Sequence, residues 1–91
     1  MRPRHPGPDA NQPAIMEAVR DVPRFEIYDV SSLSEKVCPG DVLVLCKPLN
    51  RWQLFEIKMP GGKISDEQQR RDDDGSVPIV YTAVEIIEFF I

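Results

Sequence analysis

Apolar residues recur with the period of a helix in some segments of the chain and with that of a strand in others. The first helical segment is predicted to begin near Pro13, because proline is favoured in the first turn of a helix. It is predicted to end before Pro23, because the residue before a proline avoids helical dihedrals. A strand is then predicted over residues 24–30, with apolar residues on both of its faces.

A near-continuous apolar run at 41–46 predicts a central strand that is covered on both faces. Turn residues at Pro48–Arg51 predict a hairpin leading into a strand that ends near Lys58. If Lys47 pairs with Trp52, Asp41 lies opposite Lys58, and Glu56 lies diagonal to Asp41 on the same face. A register shift of one residue would move Asp41 to the other face.

Two capping boxes mark later helices. Ser65 and Gln68 form the first, which opens a short helix that Gly75 ends. Thr82 and Glu85 form the second capping box, which opens a last helix. A further strand is predicted at 77–81, between these two helices. Val84, Ile87 and Ile91 are expected to face inward from the last helix. The element order is α-β-β-β-α-β-α, an α/β fold in which helices flank a small mixed sheet.

The 91 residues are enough for one small domain, which is predicted to span 11–91. Residues 1–10 are expected to form a flexible tail, because their prolines lack the amide donors that a helix or a central strand needs. Hydrophobic residues make up 42% and charged residues 29%, as in ordinary globular domains. Neither a membrane span nor a signal-peptide core is visible, so a cytoplasmic protein without membrane contact is expected.

Cysteine and charge narrow the possible chemistry. Cys38 and Cys46 lack the spacing of a zinc or redox site, and with a single histidine they are expected to be small core residues. The net charge of −4 disfavours indiscriminate binding to nucleic acid. Residues 47–71 nevertheless contain six basic and three acidic side chains, a local charge of +3, against −2 before them and −5 after them.

Asp41, Glu56 and Lys58 are the candidate chemical cluster. Two carboxylates about 4 Å apart repel each other by roughly 4 kcal/mol at an effective dielectric constant of 20, so a cation is needed to keep both ionised. Mg²⁺ or Mn²⁺ is suited to oxygen ligands and leaves coordination positions open for a phosphate. Spacing alone is equally compatible with a capped loop at Asp41 and a solvated ion pair between Glu56 and Lys58.

Two motifs carry a resemblance to nucleases. Pro39-Gly40-Asp41 followed by Glu56-Ile57-Lys58 resembles the signature of the PD-(D/E)XK, or restriction-endonuclease-like, superfamily. Residues 55–68, FEIKMPGGKISDEQ, are similar without a gap to the core motif of the VRR-NUC family. In that family an E-V-K string is followed by a P-G turn, a basic residue, a Leu-Ser pair and a glutamine.

The resemblance implies a role for each matching residue. Asp41, Glu56 and the backbone carbonyl of Ile57 would be metal ligands, and Lys58 would be the catalytic lysine. Gln68 would support the site from the following helix, which makes it the fourth candidate catalytic residue. Glu17 is a possible additional acid from the first helix. The basic window adds candidate DNA contacts at Lys47, Arg51, Lys63, Arg70 and Arg71.

The resemblance also implies a function. The expected activity is Mg²⁺- or Mn²⁺-dependent hydrolysis of phosphodiester bonds in branched or otherwise structured DNA. Stand-alone members of the VRR-NUC family are often encoded by phages or prophages, which act in a bacterial host cell, and they work as homodimers. A homodimer is also expected from the apolar C-terminal run 86–91. The alternative is a nuclease-like module without catalysis that binds or scaffolds.

Overall fold

A computed structural model describes residues 11–91, in which three helices and four strands follow the expected order α-β-β-β-α-β-α. The predicted tail at 1–10 lies outside the described residues. The mixed α/β class is confirmed. The elements are α1 (Gln12–Arg20), β1 (Phe25–Asp29), β2 (Val42–Cys46), β3 (Arg51–Ile57), α2 (Asp66–Asp74), β4 (Ile79–Val80) and α3 (Ala83–Phe89).

The four strands form one mixed sheet in the order β1-β2-β3-β4. β1 pairs with β2 and β2 with β3 in antiparallel fashion, whereas β4 pairs with β3 in parallel. The edge strand β4 has two residues and is shorter than the predicted 77–81. Proline has no amide to donate, and Pro78 joins the ladder only through its carbonyl, which accepts the Glu56 amide at 2.9 Å.

The hydrophobic core lies on one face of the sheet, where α1 and α3 pack. The Phe90 ring beyond α3 lies 5.6 Å from that of Phe25 and 6.2 Å from that of Phe55, both on the core face. Burial of each such side chain stabilises the fold by about 1.5–3 kcal/mol. The side chains that are almost wholly removed from solvent are Val19, Val42, Val44, Phe55, Ile57 and Ile86.

The opposite face of the sheet is open, which corrects the expectation that β2 is covered on both faces. Leu43 and Leu45 of β2 are only half-buried, and beside them Tyr28 and Trp52 are about half exposed. The Tyr28 and Trp52 rings lie 6.2 Å apart across the strand between them. The candidate acids and lysine project from this open face, at its end nearest α2.

The prediction for the last helix was wrong for Val84 and Ile91, whereas Ile87 is half-buried and packs against the core as expected. Ile86 and Phe90 enter the core, whereas Val84 and Ile91 are exposed. Residues four apart share a helix face, so Ile86 and Phe90 form one stripe that excludes both of the others. Part of the apolar C-terminal run is therefore absorbed within the chain, and Val84, Phe89 and Ile91 remain as apolar surface.

Among residues 11–91, no helix is long and apolar enough to cross a membrane.

Candidate functional site

The β2–β3 hairpin brings the candidate residues together in a register two positions away from the predicted one. Cys46 pairs with Arg51, so the expected pairing of Lys47 with Trp52 was wrong. The reason lies in the turn, where Lys47–Leu49 form a single 3-10 turn and Asn50 has a left-handed conformation with φ of 51°. Because side chains alternate along a strand, a shift of two residues keeps each one on its face. One residue beyond the pair formed by Val42 and Phe55, the same register places Asp41 directly opposite Glu56. A diagonal contact between these two acids was expected.

Asp41 is fixed against β3 by two hydrogen bonds. Its amide donates to the Phe55 carbonyl at 2.8 Å, and its Oδ2 accepts the Ile57 amide at 2.9 Å. Gly40 allows this approach, since a Cβ atom there would lie 2.5 Å from Leu54 Cγ and 3.0 Å from the Phe55 carbonyl oxygen. The Asp41 carboxylate therefore takes the place of a backbone acceptor at the point where β2 begins.

Gln68 connects the start of α2 to Glu56. Its side-chain Oε1 accepts a hydrogen bond from the Ser65 backbone amide, and its backbone amide donates to Ser65 Oγ, both at 3.1 Å. These two bonds complete the predicted capping box. Its Nε2 donates to Glu56 Oε2 at 3.2 Å. One glutamine side chain thus caps the helix with its oxygen and orients the acid with its nitrogen.

We expect Ser65→Ala to lower the free energy of unfolding by about 1 kcal/mol, because it removes the side-chain acceptor of the cap. Urea denaturation measures the loss. Ser32→Ala, in the exposed β1–β2 loop, is the matched control and should change the free energy of unfolding by less than about 0.5 kcal/mol. Equal stability of the two variants would show that the cap does not stabilise α2.

Glu56 and Lys58 are buried charged residues, each only 8% exposed. The distance from Lys58 Nζ to Glu56 Oε2 is 3.9 Å. Burial, the charge of Asp41 and its hydrogen bond to Glu56 together raise the pKa of Glu56 to about 8, while Lys58 opposes the shift. At neutral pH the acid pair therefore holds one proton and one negative charge, which the Lys58 ammonium balances.

A small cavity of about 160 Å³ opens beside the acid pair. Asp41, Glu56 and Gln68 line one side of it, and the β1–β2 loop, including Glu35 and Cys38, lines the other. Cys46 is a core residue as expected, whereas Cys38 is half-buried at this cavity. The acid pair is thus accessible to a small group from solvent although the residues themselves are buried.

The oxygen atoms at this site suit a hard divalent cation. Among the described residues, no group of three or more His, Cys, Asp or Glu side chains is placed to hold a metal ion. Asp41 and Glu56 supply two carboxylates. The Ile57 carbonyl points to the same side of β3 as the Ile57 amide, and that amide donates to Asp41. Asp41 and Glu56 share a proton at one cavity, and a cation that binds between the two carboxylates would displace that proton.

Comparison of the chain with protein-family models, with curated proteins and with solved structures gives no match. The interpretation of the site therefore depends on its own geometry and on the motifs at 39–41 and 55–68.

Glu17, the possible additional acid named from the sequence, is not the third acid that lines the cavity. Glu17 is exposed on α1. The third carboxylate that lines the cavity is Glu35, from the loop between β1 and β2. No sequence signal indicated Glu35, since residues 31–38 have no clear periodicity and match no motif.

The basic candidates divide into two groups. Lys47 and Arg51 lie at the hairpin turn, roughly 15–20 Å along β3 from the acid pair at about 3.3 Å per residue. Arg51 lies over the Phe89 and Phe90 rings at 5.9 and 5.8 Å, and Lys47 pairs with Glu26 at 3.9 Å. The second group consists of Lys63 in the loop before α2 and of Arg70 and Arg71 on α2, the helix that carries Gln68.

Proposed function

We propose that this protein is a metal-dependent phosphodiester hydrolase that cleaves DNA. The observation that carries the proposal is a buried lysine beside a proton-sharing Asp–Glu pair at the wall of an open cavity. The resemblance of 39–41 and 55–68 to the VRR-NUC motif supports DNA as the substrate.

The burial of this cluster argues against the alternative of a solvated ion pair. Glu56 and Lys58 are each 8% exposed, so both have lost most of their hydration. Buried ion pairs are often no more stabilising than apolar residues of similar volume, so stability alone does not explain why they are present. Groups with strongly shifted pKa values in a cleft are candidates for catalysis.

The residues divide the proposed chemistry among them. Asp41, Glu56 and the Ile57 carbonyl would hold Mg²⁺ or Mn²⁺. The cation, when bound, supplies stabilisation of the negative charge on phosphate oxygens and a lower pKa for a coordinated water. The Lys58 ammonium has three donors with which to orient a water or contact a phosphate oxygen. Gln68 keeps the Glu56 carboxylate turned toward the site.

DNA would approach from the α2 side of the cavity. Lys63 and Arg70 are exposed, on the loop before α2 and on α2 itself. Phosphate contacts of this kind position DNA without reading its sequence, and they weaken as salt rises. Branched or otherwise structured DNA is the proposed substrate, on the basis of the motif resemblance.

We extend the proposal to a homodimer. Val84, Phe89 and Ile91 leave apolar side chains on the surface around α3. Such surface is typical of contacts between subunits. Light scattering at micromolar concentration tests this part, and a stable monomer would contradict it.

Cleavage is tested by incubating the purified protein with Mn²⁺ or Mg²⁺ and a panel of linear, flapped and four-way DNA substrates. We expect metal-dependent cleavage of at least one branched substrate by the wild type and none by Asp41→Asn. Cleavage that is equal in both proteins would refute the assignment. Stabilisation by Mn²⁺ without cleavage of any substrate would favour the binding or scaffolding module instead.

A further inference from the structure

Glu35 is the third carboxylate at the cavity of the acid pair. It lines that cavity together with Asp41 and Glu56. Its charge lies near enough to contribute to the raised pKa of Glu56. Its side chain is 59% exposed, whereas those of the acid pair's Glu56 and of Lys58 are about 10% exposed.

Arg71 holds Glu35 from the other side. Its Nη1 lies 3.1 Å from Glu35 Oε2, and its Nη2 lies 3.8 Å from Glu67 Oε1. The Arg71 side chain is only 19% exposed, so the guanidinium is the more buried partner of this ion pair. Arg71 and Gln68 lie on the same helix, and Gln68 holds Glu56. One helix thus contacts both walls of the cavity.

We propose that Glu35 is a third carboxylate ligand of the metal site and that Arg71 holds it away from that site in the metal-free protein. This inference rests on the proposed function. Two carboxylates and a carbonyl leave a divalent cation with open positions, and carboxylate oxygen is a ligand that such ions prefer. A DNA phosphate competes with Glu35 for Arg71, because the guanidinium binds phosphate and carboxylate with the same paired donors. Substrate binding and completion of the metal site are thereby coupled.

The proposal predicts opposite effects for the two partners of one ion pair. Glu35→Gln removes the ligand and weakens metal binding. Arg71→Gln releases the ligand and strengthens metal binding. An ion pair with a purely structural role would give changes of the same sign in both variants, because each variant breaks the same contact.

The test is titration of the full-length, metal-free protein with Mn²⁺ by isothermal calorimetry, without DNA. We expect the dissociation constant to rise on the order of tenfold in Glu35→Gln, and to fall in Arg71→Gln. Glu67→Gln is the matched control. It removes the same charge and another partner of Arg71, but Glu67 does not line the acid-pair cavity, so its dissociation constant should equal that of the wild type.

The outcomes separate this inference from the function on which it rests. Mn²⁺ binding that Asp41→Asn abolishes but Glu35→Gln leaves unchanged would overturn the role of Glu35 and leave the proposed metal site intact. Equal losses in Glu35→Gln and Glu67→Gln would also overturn it, since they would reflect charge alone. Absence of Mn²⁺ binding by the wild type would contradict both proposals.

Discussion

Replacing Lys58 by methionine is expected to lower the rate of DNA cleavage roughly 10²- to 10³-fold, the usual cost of losing one preorganised donor to a developing negative charge. Methionine preserves the apolar stem of the buried side chain, so the change removes mainly the ammonium group. Lys58 is not among the proposed metal ligands, so Mn²⁺ should still raise the melting temperature of the variant. Single-turnover cleavage with saturating Mn²⁺ measures the effect.

Lys36→Met provides the matched control, because Lys36 is exposed in the β1–β2 loop. It should cleave at the wild-type rate. If Lys58→Met keeps that rate as well, Lys58 has no part in the chemistry and serves only to balance the charge of the acid pair. Circular dichroism of both variants establishes that each is folded before the rates are compared.

Glu56→Gln is expected to stabilise the metal-free protein at alkaline pH, by an amount of the order of a few kcal/mol at pH 9. Burial beside Asp41 raises the pKa of Glu56 from 4.5 to about 8 in the folded protein. Between these two pH values the folded state keeps a proton that the unfolded state releases. The stability contributed by Glu56 is therefore highest below pH 4.5 and is lost as the pH rises toward 8. Glutamine cannot ionise, so the variant does not lose this stability.

Urea denaturation of the wild type and of Glu56→Gln, at several pH values between 5 and 9 with a chelator present, measures the difference. The two proteins should have similar free energies of unfolding near pH 5 and should diverge as the pH rises. Titrating groups remote from Glu56 are common to both proteins and cancel in the comparison. Curves that stay parallel across this range would show that the pKa of Glu56 is not raised.

The local elements were predictable because their determinants are local. Ser65 with Gln68, and Thr82 with Glu85, form the two capping boxes that the sequence indicated, and Gly75 ends α2 in the left-handed conformation. Strand alternation predicted that Asp41, Glu56 and Lys58 share one face of the sheet. That prediction holds although the predicted register was wrong, because the register differs by two residues, an even number.

Features that depend on contacts distant in sequence were not predictable. The inward face of α3 is decided by contacts such as that of Phe90 with Phe25, which no spacing within the helix specifies. Glu35 reaches the cavity through an irregular loop, and the residue that holds it, Arg71, lies 36 positions later. The sequence pattern identified the chemical groups, and tertiary contacts determined their surroundings.

Because Gln68 contacts both Ser65 and Glu56, the backbone at the start of α2 should respond to changes at the acid pair. The Gln68 backbone amide donates to Ser65 Oγ, while the Gln68 side chain donates to Glu56. Any change that fixes the Glu56 carboxylate more firmly also steadies the first turn of the helix. Hydrogen–deuterium exchange at this single amide should therefore slow when a cation occupies the site, and occupancy becomes measurable at a backbone position without a substrate.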